Sequence, residues 1–334
     1  MQGQELPTDL RKGPLSTFVL SIGTGWDRFW FSRFDPISAG LFRIAVGSLI
    51  LLMFLYSYPN WDRFYAVDGI LQLDLNVVQR VSIPLDTVNV FYWTDGILPT
   101  GFWWWVATLA SLGFVLGAFT RSSTVILYVM MISIVNRNRL ITNGDDLVFR
   151  MLMFHALFAP LGHELSLDRW WRVRRGRPQP TAPMIWPVRM LQINILMVYV
   201  VSTHNKIFDD IAWTNGLAIY WTMASDMWSR ELIPWISYKY GFLFTRLGTY
   251  GSLLIEGLFP ILVWMPRTRA YAITALVALH VGIMCLVPNV AFFTMGMAAS
   301  LTIFVPPESL RSAISWFRER PWLPSPSDRE KSVK

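Results

Sequence analysis

The residues most able to do chemistry in this chain are polar side chains that interrupt apolar segments. One group follows an apolar stretch through Tyr199, where His204, Asn205 and Lys206 come shortly before Trp213. A lysine that is partly removed from water loses some of its preference for the charged form, and it can then act as a base near neutral pH. The alternative is a lysine whose ammonium group extends into a membrane interface. Spacing leaves both interpretations open.

Other polar side chains lie within or beside other apolar runs. Exposure of a charged side chain to lipid costs at least about 2.5 kcal/mol, so we expect Glu256 and His280 to face the interior of a helix bundle. Arg43 and Arg150 lie within a turn of the end of an apolar run, which favours snorkelling or a bridge between two helices. We interpret His155 as a hydrogen-bonded residue between helices.

Several kinds of site are not expected. The four histidines are scattered singly and the only cysteine is Cys285, so neither a metal site nor an intrachain disulfide is predicted. We find no glycine-rich phosphate loop and no defensible Ser-His-Asp order. The formal net charge is +7, but the basic residues occur in short segments between apolar runs. This pattern indicates membrane topology, and no nucleic-acid partner is predicted.

The composition predicts a membrane protein. Of the 334 residues, 53% are hydrophobic and only 15% are charged, and 17 are tryptophan. Soluble domains carry about 25% charged residues, so lipid must solvate much of the surface. Indole rings favour the membrane interface. The N-terminal residues resemble an interfacial helix, and no cleaved signal peptide is expected.

The apolar runs predict an all-α fold, a polytopic membrane helix bundle of about eight transmembrane helices with amphipathic interfacial helices. We divide the chain into an interfacial segment (1–34), a transmembrane domain (35–306) and a C-terminal tail (307–334). The predicted spans are Ala39 to Tyr58, Phe102 to Ala118, Ser123 to Val135, Leu147 to Leu161, Pro187 to Thr203, Leu247 to Met265, Ala270 to Val287 and Val290 to Val305.

The loop charges predict the orientation. Lysine and arginine dominate the N-terminal lead, alternate loops and the tail, which places both termini in the cytoplasm of a multi-pass plasma (inner) membrane protein. Pro59 to Gly101 and Lys206 to Arg246 are aromatic loops on the opposite side, and both contain several aspartates. Arg137 and Arg139 go against this trend. We expect a polar cavity to open towards the two long loops.

Several stretches together resemble the horizontally transferred transmembrane (HTTM) domain, which vitamin K-dependent gamma-carboxylase shares with many bacterial membrane proteins. They occur in family order over nearly the whole chain. The stretches are Trp26 to Trp30, Asp35 to Ile44, Leu112 to Arg121, Asn136 to Leu147, Ser166 to Asp168, Val198 to Gly216, Glu256, and His280 to Phe293.

The resemblance implies a chemistry. In the carboxylase, a lysine on the lumenal side deprotonates vitamin K hydroquinone; oxygen turns the anion into a strong base, which takes a proton from a glutamate γ carbon before carbon dioxide adds. Lys206 lies where that lysine falls, and His280 matches a histidine of the family. Asp145 stands where the carboxylase has a catalytic histidine, and no large extramembrane domain is expected after the last span. Glutamate carboxylation is therefore not expected.

Two functions are compatible with these residues. One is an enzyme that acts on a lipid-soluble, quinol-like molecule, with a quinone or quinol as its cofactor, Lys206 as base, and His204, Asn205 and His280 as positioning groups. The other is a non-catalytic membrane subunit that serves assembly, maturation or immunity around a partner protein. Membrane lipid is an expected partner in both. The candidate ligand contacts are Glu256, Asp145, Arg43 and Trp213.

Overall fold

A computed structural model describes residues 14–69, 88–139, 141–225 and 233–318, and within these ranges every regular element is a helix. The predicted all-α class is confirmed. Short 3₁₀ turns occur at Tyr58–Asn60, Pro288–Val290 and Leu301–Phe304. The helices are α1 Pro14–Phe31, α2 Ile37–Ser57, α3 Trp61–Tyr65, α4 Val90–Thr94, α5 Thr100–Leu116, α6 Thr120–Arg137, α7 Gly144–Ala156, α8 Leu167–Arg174, α9 Trp186–Phe208, α10 Ile211–Thr214, α11 Ala218–Ala224, α12 Ile233–Leu262, α13 Arg269–Leu286, α14 Ala291–Ser300 and α15 Pro307–Arg318.

Each of the eight predicted apolar segments falls on a helix, but few of these helices meet the length and composition of a membrane span by themselves. Within the described residues, two helical segments do so, Ile37–Tyr65 and Arg269–Leu286. Two shorter apolar helices, Thr100–Leu116 and Ala291–Phe304, accompany them. The two long segments differ in burial, since 61% of the apolar window is buried in the first and 17% in the second. Only the first is mainly a core helix.

The core forms around α2. Phe42, Val46 and Ile50 are fully buried at i, i+4 and i+8, so they form one stripe of the helix. Gly47 allows a close approach to α5, because a Cβ atom there would lie 2.8 Å from Phe114 Cδ1. On its other sides α2 packs against α14, while α9, α12 and α13 pack in succession beside this unit. This packing places α9 beside α12, although residues 209–232 separate the two helices in the sequence.

Large apolar side chains are also exposed along the helices. They recur on α5, α9, α12 and α13 over much of the length of each helix. Scattered exposed hydrophobic residues are normal on soluble proteins, but continuous apolar surfaces are not. Examples are Trp105, Leu109, Leu112, Leu116, Met190, Met197, Val200, Val201, Leu247, Leu254, Leu258, Ile261, Tyr271 and Val281.

The terminal segments are helical where the structure describes them. The interfacial segment contains α1, whose Phe29 ring lies 4.7 Å from the Arg189 guanidinium carbon. The C-terminal tail begins with α15, and Arg311 holds it to Asp35 at 2.5 Å. The rest of the tail, and Asp226 in the second long loop, lie outside the described residues.

Candidate functional site

One face of α9 carries the central polar cluster. Tyr199, Ser202, Thr203 and Lys206 are spaced i, i+3, i+4 and i+7, so successive turns of the helix place them in a row. This face meets α12, and α12 in turn packs against α13. Helical spacing alone determines this row, so the sequence is sufficient to predict that the four residues share one face of the helix.

Lys206 forms a closed ion pair with Glu256. Its Nζ atom lies 2.7 Å from Oε1 and 2.6 Å from Oε2 of that carboxylate, and Ser202 Oγ donates to Oε2 at 3.3 Å. The Lys206 side chain is 19% exposed and that of Glu256 is 6% exposed. The Trp213 ring centroid lies 4.4 Å from Nζ and covers the ammonium. The amine is therefore largely withdrawn from solvent.

His204 and Asn205, two of the residues predicted to position a ligand at Lys206, have no described contact with its amine. His204 and Asn205 are exposed, because each step along an α-helix turns a side chain by about 100° and carries them off the Lys206 face. Asp145 lies in a separate cavity. The anion comes instead from α12, 50 residues further along the chain, because α12 packs on the polar face of α9. His204 and Asn205 have no described contact with the ion pair.

A second pair lies beside the first. Tyr199 Oη and His280 Nε2 are 2.9 Å apart, and both residues are buried. The predicted burial of Glu256 and His280 is thereby confirmed. Within the described part of the chain, His280 Nδ1 and Thr203 Oγ1 are buried without a hydrogen-bond partner. Such groups cost free energy unless something pairs with them, so this interior has unused polar capacity.

A cavity of about 700 Å³ lies near the start of α7. Asp145 and Asp146 line it together with Tyr56, Trp61 and Phe292. The stretches around Asn143 and Asn289, both part of the resemblance, meet at this cavity. Lys206 is not among its lining residues, nor among those of the cavity of about 990 Å³ beside α8. Neither of these two cavities therefore encloses the Lys206 amine.

Arg43 is a bridge between helices rather than an open ligand contact. It is fully buried, and its Nη1 donates to the carbonyls of Phe114 and Val115 at 2.7 Å, while Nη2 donates to Leu165. These carbonyls include the last turn of α5, whose oxygens have no partner within the helix. Gly117, with φ of +67°, ends α5 there. The structure therefore supports the bridging interpretation.

His155 differs from its interpretation. Its Nδ1 lies 3.0 Å from the Met151 carbonyl one turn earlier in α7, so the bond is within a helix and does not join two. The reason is local, since an i−4 carbonyl is always within reach of a helical side chain that turns back.

Sequence reasoning missed a buried ion pair. Arg137 is 1% exposed; its Nη1 lies 2.6 Å from Asp95 Oδ2, and its Nε donates to the Tyr65 carbonyl at 2.8 Å. The position of Arg137 in the sequence could have indicated such a pair, because a basic residue between apolar runs, on the side opposite the basic loops, requires an anion. Asp95 lies 42 residues away, so spacing could not identify it.

Within the described residues no cluster of three or more histidine, cysteine, aspartate or glutamate side chains could hold a metal ion.

Comparisons with known proteins add nothing to this geometry. No protein-family model, no curated protein and no solved structure matches the chain.

Proposed function

We propose that the chain is a multi-pass plasma (inner) membrane protein of the HTTM type, with about eight spans and both termini in the cytoplasm. The exposed apolar side chains along α5, α9, α12 and α13 support this proposal, because they require lipid or a partner as solvent. The short helices support it less directly: α7 has 13 residues and covers about 20 Å, so it needs a locally thin bilayer.

Reporter fusions test the topology. A reporter inserted after Gly176, in the basic loop, is expected to be cytoplasmic, and one after Asn215, between α10 and α11, is expected on the opposite side. If both report the same side, the span count is wrong.

We further propose that the polar face of α9 binds a lipid-soluble, quinol-like molecule. The observation that carries this proposal is the Lys206–Glu256 pair beside two buried atoms without a partner, Thr203 Oγ1 and His280 Nδ1. A quinol presents hydroxyl groups that both donate and accept, and a threonine hydroxyl and an imidazole nitrogen match them. Its isoprenoid chain would lie along the apolar surface of the bundle.

The pair can also move a proton. In the charged state Lys206 holds the proton and Glu256 is a carboxylate, so the lysine is not yet a base. Transfer of that proton to Glu256 leaves a neutral amine and a carboxylic acid. The amine then takes the hydroxyl proton of the quinol, and the net change is one proton from the ligand to Glu256, with a quinol anion next to the Lys206 ammonium.

Lipid extraction tests ligand binding. Mass spectrometry of lipids retained by the purified full chain is expected to detect an isoprenoid quinone. Lys206→Met/Glu256→Leu removes both charges together and leaves no unpaired ion, so this variant is expected to fold yet to lose the quinone. Arg267→Gln, in an exposed turn away from the cluster, serves as control and keeps it. Equal retention by the double variant would refute a ligand role for the pair.

A non-catalytic subunit is the second candidate. The specific observation in its favour is that Glu256 engages the Lys206 ammonium with both oxygens, and neither large cavity reaches the amine. In that case the pair only joins α9 to α12. The double variant would then fold, and a stoichiometric partner protein would copurify with it as with the wild-type chain.

A further inference from the structure

The cavity of about 990 Å³ beside α8 has an unusual concentration of positive charge. Arg121, Arg172, Arg175 and Arg177 all line it, and they come from the start of α6, from α8 and from the turn after α8. Three of the four arginines are exposed, and Arg172 is half-buried. Their convergence depends on the fold, since Arg121 is 51 residues from Arg172.

No ion pair with a carboxylate is described for these four arginines, and the single charge of Asp168 leaves the lining strongly positive. Asp168 is the one acidic residue among the lining residues, and its oxygens accept from the Thr120 amide at 2.8 Å, from the Thr120 hydroxyl at 2.6 Å and from the Phe119 amide at 2.9 Å. Asp168 therefore caps the first turn of α6. Arg172 Nη2 donates to the Gly162 carbonyl at 2.9 Å, while its Nε is buried without a described partner.

The field of the arginines also acts on a histidine of the same cavity. Burial, together with the charge of Arg172, lowers the pKa of His163 below its ordinary value, so its imidazole is neutral near pH 7. The cavity thus keeps four arginine charges with an imidazole that can donate or accept. This charge distribution attracts an anion of more than one charge-bearing oxygen.

Aromatic side chains form part of the remaining wall, next to polar residues such as Thr124 and Thr181. Phe158 is 53% exposed and Trp186 is 40% exposed, and their ring centroids lie 6.4 Å apart. Trp171 continues the aromatic wall on the α8 side. An occupant that satisfies both parts of the cavity must carry an anionic head and an apolar body.

We propose that this cavity binds an anionic phospholipid, with its phosphate held by the four arginines and its acyl chains along Phe158 and Trp186. Basic pockets between helices on the cytoplasmic side of a membrane are suited to such headgroups. The inference rests on the proposed membrane placement, which puts this face in the cytoplasmic leaflet. Free phosphate shares the head chemistry but cannot use the aromatic wall.

Native mass spectrometry on the delipidated full chain tests this inference. Phosphatidylglycerol and phosphatidylcholine are titrated separately, and the wild-type chain is expected to prefer phosphatidylglycerol. Arg175→Gln/Arg177→Gln is expected to weaken phosphatidylglycerol binding at least about tenfold, since each basic residue near a headgroup contributes about 1 kcal/mol. Arg28→Gln/Arg267→Gln removes two exposed charges outside the cavity, and wild-type affinity is expected for it.

Two outcomes overturn the inference: no preference for phosphatidylglycerol in the wild-type chain, or equal effects of the two double variants. Displacement of the lipid by inorganic phosphate at matched ionic strength would assign the arginines to free phosphate and overturn it as well. Thermal unfolding of each variant excludes loss of fold. The topology reporters separate the lipid site from the proposed membrane placement. If the reporter after Gly176 is cytoplasmic but Arg175→Gln/Arg177→Gln binds phosphatidylglycerol as the wild-type chain does, only the lipid site is refuted.

Discussion

Two buried ion pairs of the described residues, Arg137–Asp95 and Lys206–Glu256, are alike in length but differ in chemistry. Both have a nitrogen-to-oxygen distance of 2.6 Å, and both cations lie near aromatic rings. Arg137 donates from all three of its nitrogens, to Asp95 and to the Tyr65 carbonyl. Lys206 gives its described hydrogen bonds only to Glu256.

The difference decides what each pair can do. A guanidinium does not release its proton in proteins, so Arg137–Asp95 can only position helices. A lysine ammonium can release its proton to an adjacent carboxylate, and Lys206 also lies on a helix face with unpaired polar atoms. Buried charge by itself therefore does not indicate a functional site; the identity of the cation and its unused neighbours do.

The largest expected effect is at Arg137. Arg137→Gln leaves Asp95 and the Tyr65 carbonyl without their donor in a buried site, which is expected to cost about 3–5 kcal/mol of the free energy of unfolding. Thermal unfolding in detergent measures it, with Arg267→Gln as control. Arg137→Met/Asp95→Leu is not expected to restore stability, because the Tyr65 carbonyl stays unpaired. If Arg137→Met/Asp95→Leu recovered the full stability of the wild-type chain, the two ion pairs would not differ in their effect on stability.

A smaller loss is expected at Lys206. Lys206→Met leaves Glu256 buried without a cation, but Glu256 keeps the Ser202 hydroxyl as a donor and no backbone carbonyl loses its partner, so the cost is expected to be about 2–3 kcal/mol. The same unfolding assay is expected to show recovery in Lys206→Met/Glu256→Leu, in contrast to the Arg137 pair. A double variant as unstable as the single one would mean that other contacts depend on these charges.

Trp213 is expected to contribute less still. Its ring covers the Lys206 ammonium, so Trp213→Ala should remove a cation–π contact of about 0.5–1 kcal/mol, whereas Trp213→Phe retains part of it. The difference between these two variants is the informative quantity in thermal unfolding. Equal losses would show that ring packing, and not the ammonium, accounts for the effect.

The smallest effect concerns acid stability at the junction of α2 and α15. The hydrogen bond from Arg311 lowers the pKa of the Asp35 carboxyl, so the pair contributes stability above the pKa of the unfolded chain and loses it as pH falls through the folded value. Both side chains are partly exposed, which limits the contribution to under about 1 kcal/mol. Arg311→Gln should flatten the stability profile between about pH 5 and pH 3. An unchanged profile would contradict this.

Much of the helical organisation follows from the sequence. Apolar periodicity locates a helix at each of the eight predicted segments, and spacing along α9 places Tyr199, Ser202 and Lys206 on one face. Helix limits follow less well, because α12 starts at Ile233, well before the apolar run at Leu247. Backbone hydrogen bonding can extend a helix beyond its apolar core.

The partners of the polar residues could not be predicted. Glu256 and Asp95 become partners only through packing of distant helices, and no local pattern carries that information. Neighbours in sequence, His204 and Asn205, were therefore favoured although helical geometry turns them away. The carbonyls that Arg43 binds at the end of α5 lie 71 and 72 residues away in the chain. Only the fold therefore identifies the partners of its bridge.

The central claim, that the polar face of α9 holds a quinol-like molecule, is tested most directly by an experimental density map of the full chain in a lipid bilayer that contains an isoprenoid quinone. We expect a quinone head group in contact with Lys206, Thr203 and His280. A head group in the cavity beside Asp145 and Asp146, or none in a map that resolves Lys206 and Glu256, would contradict it.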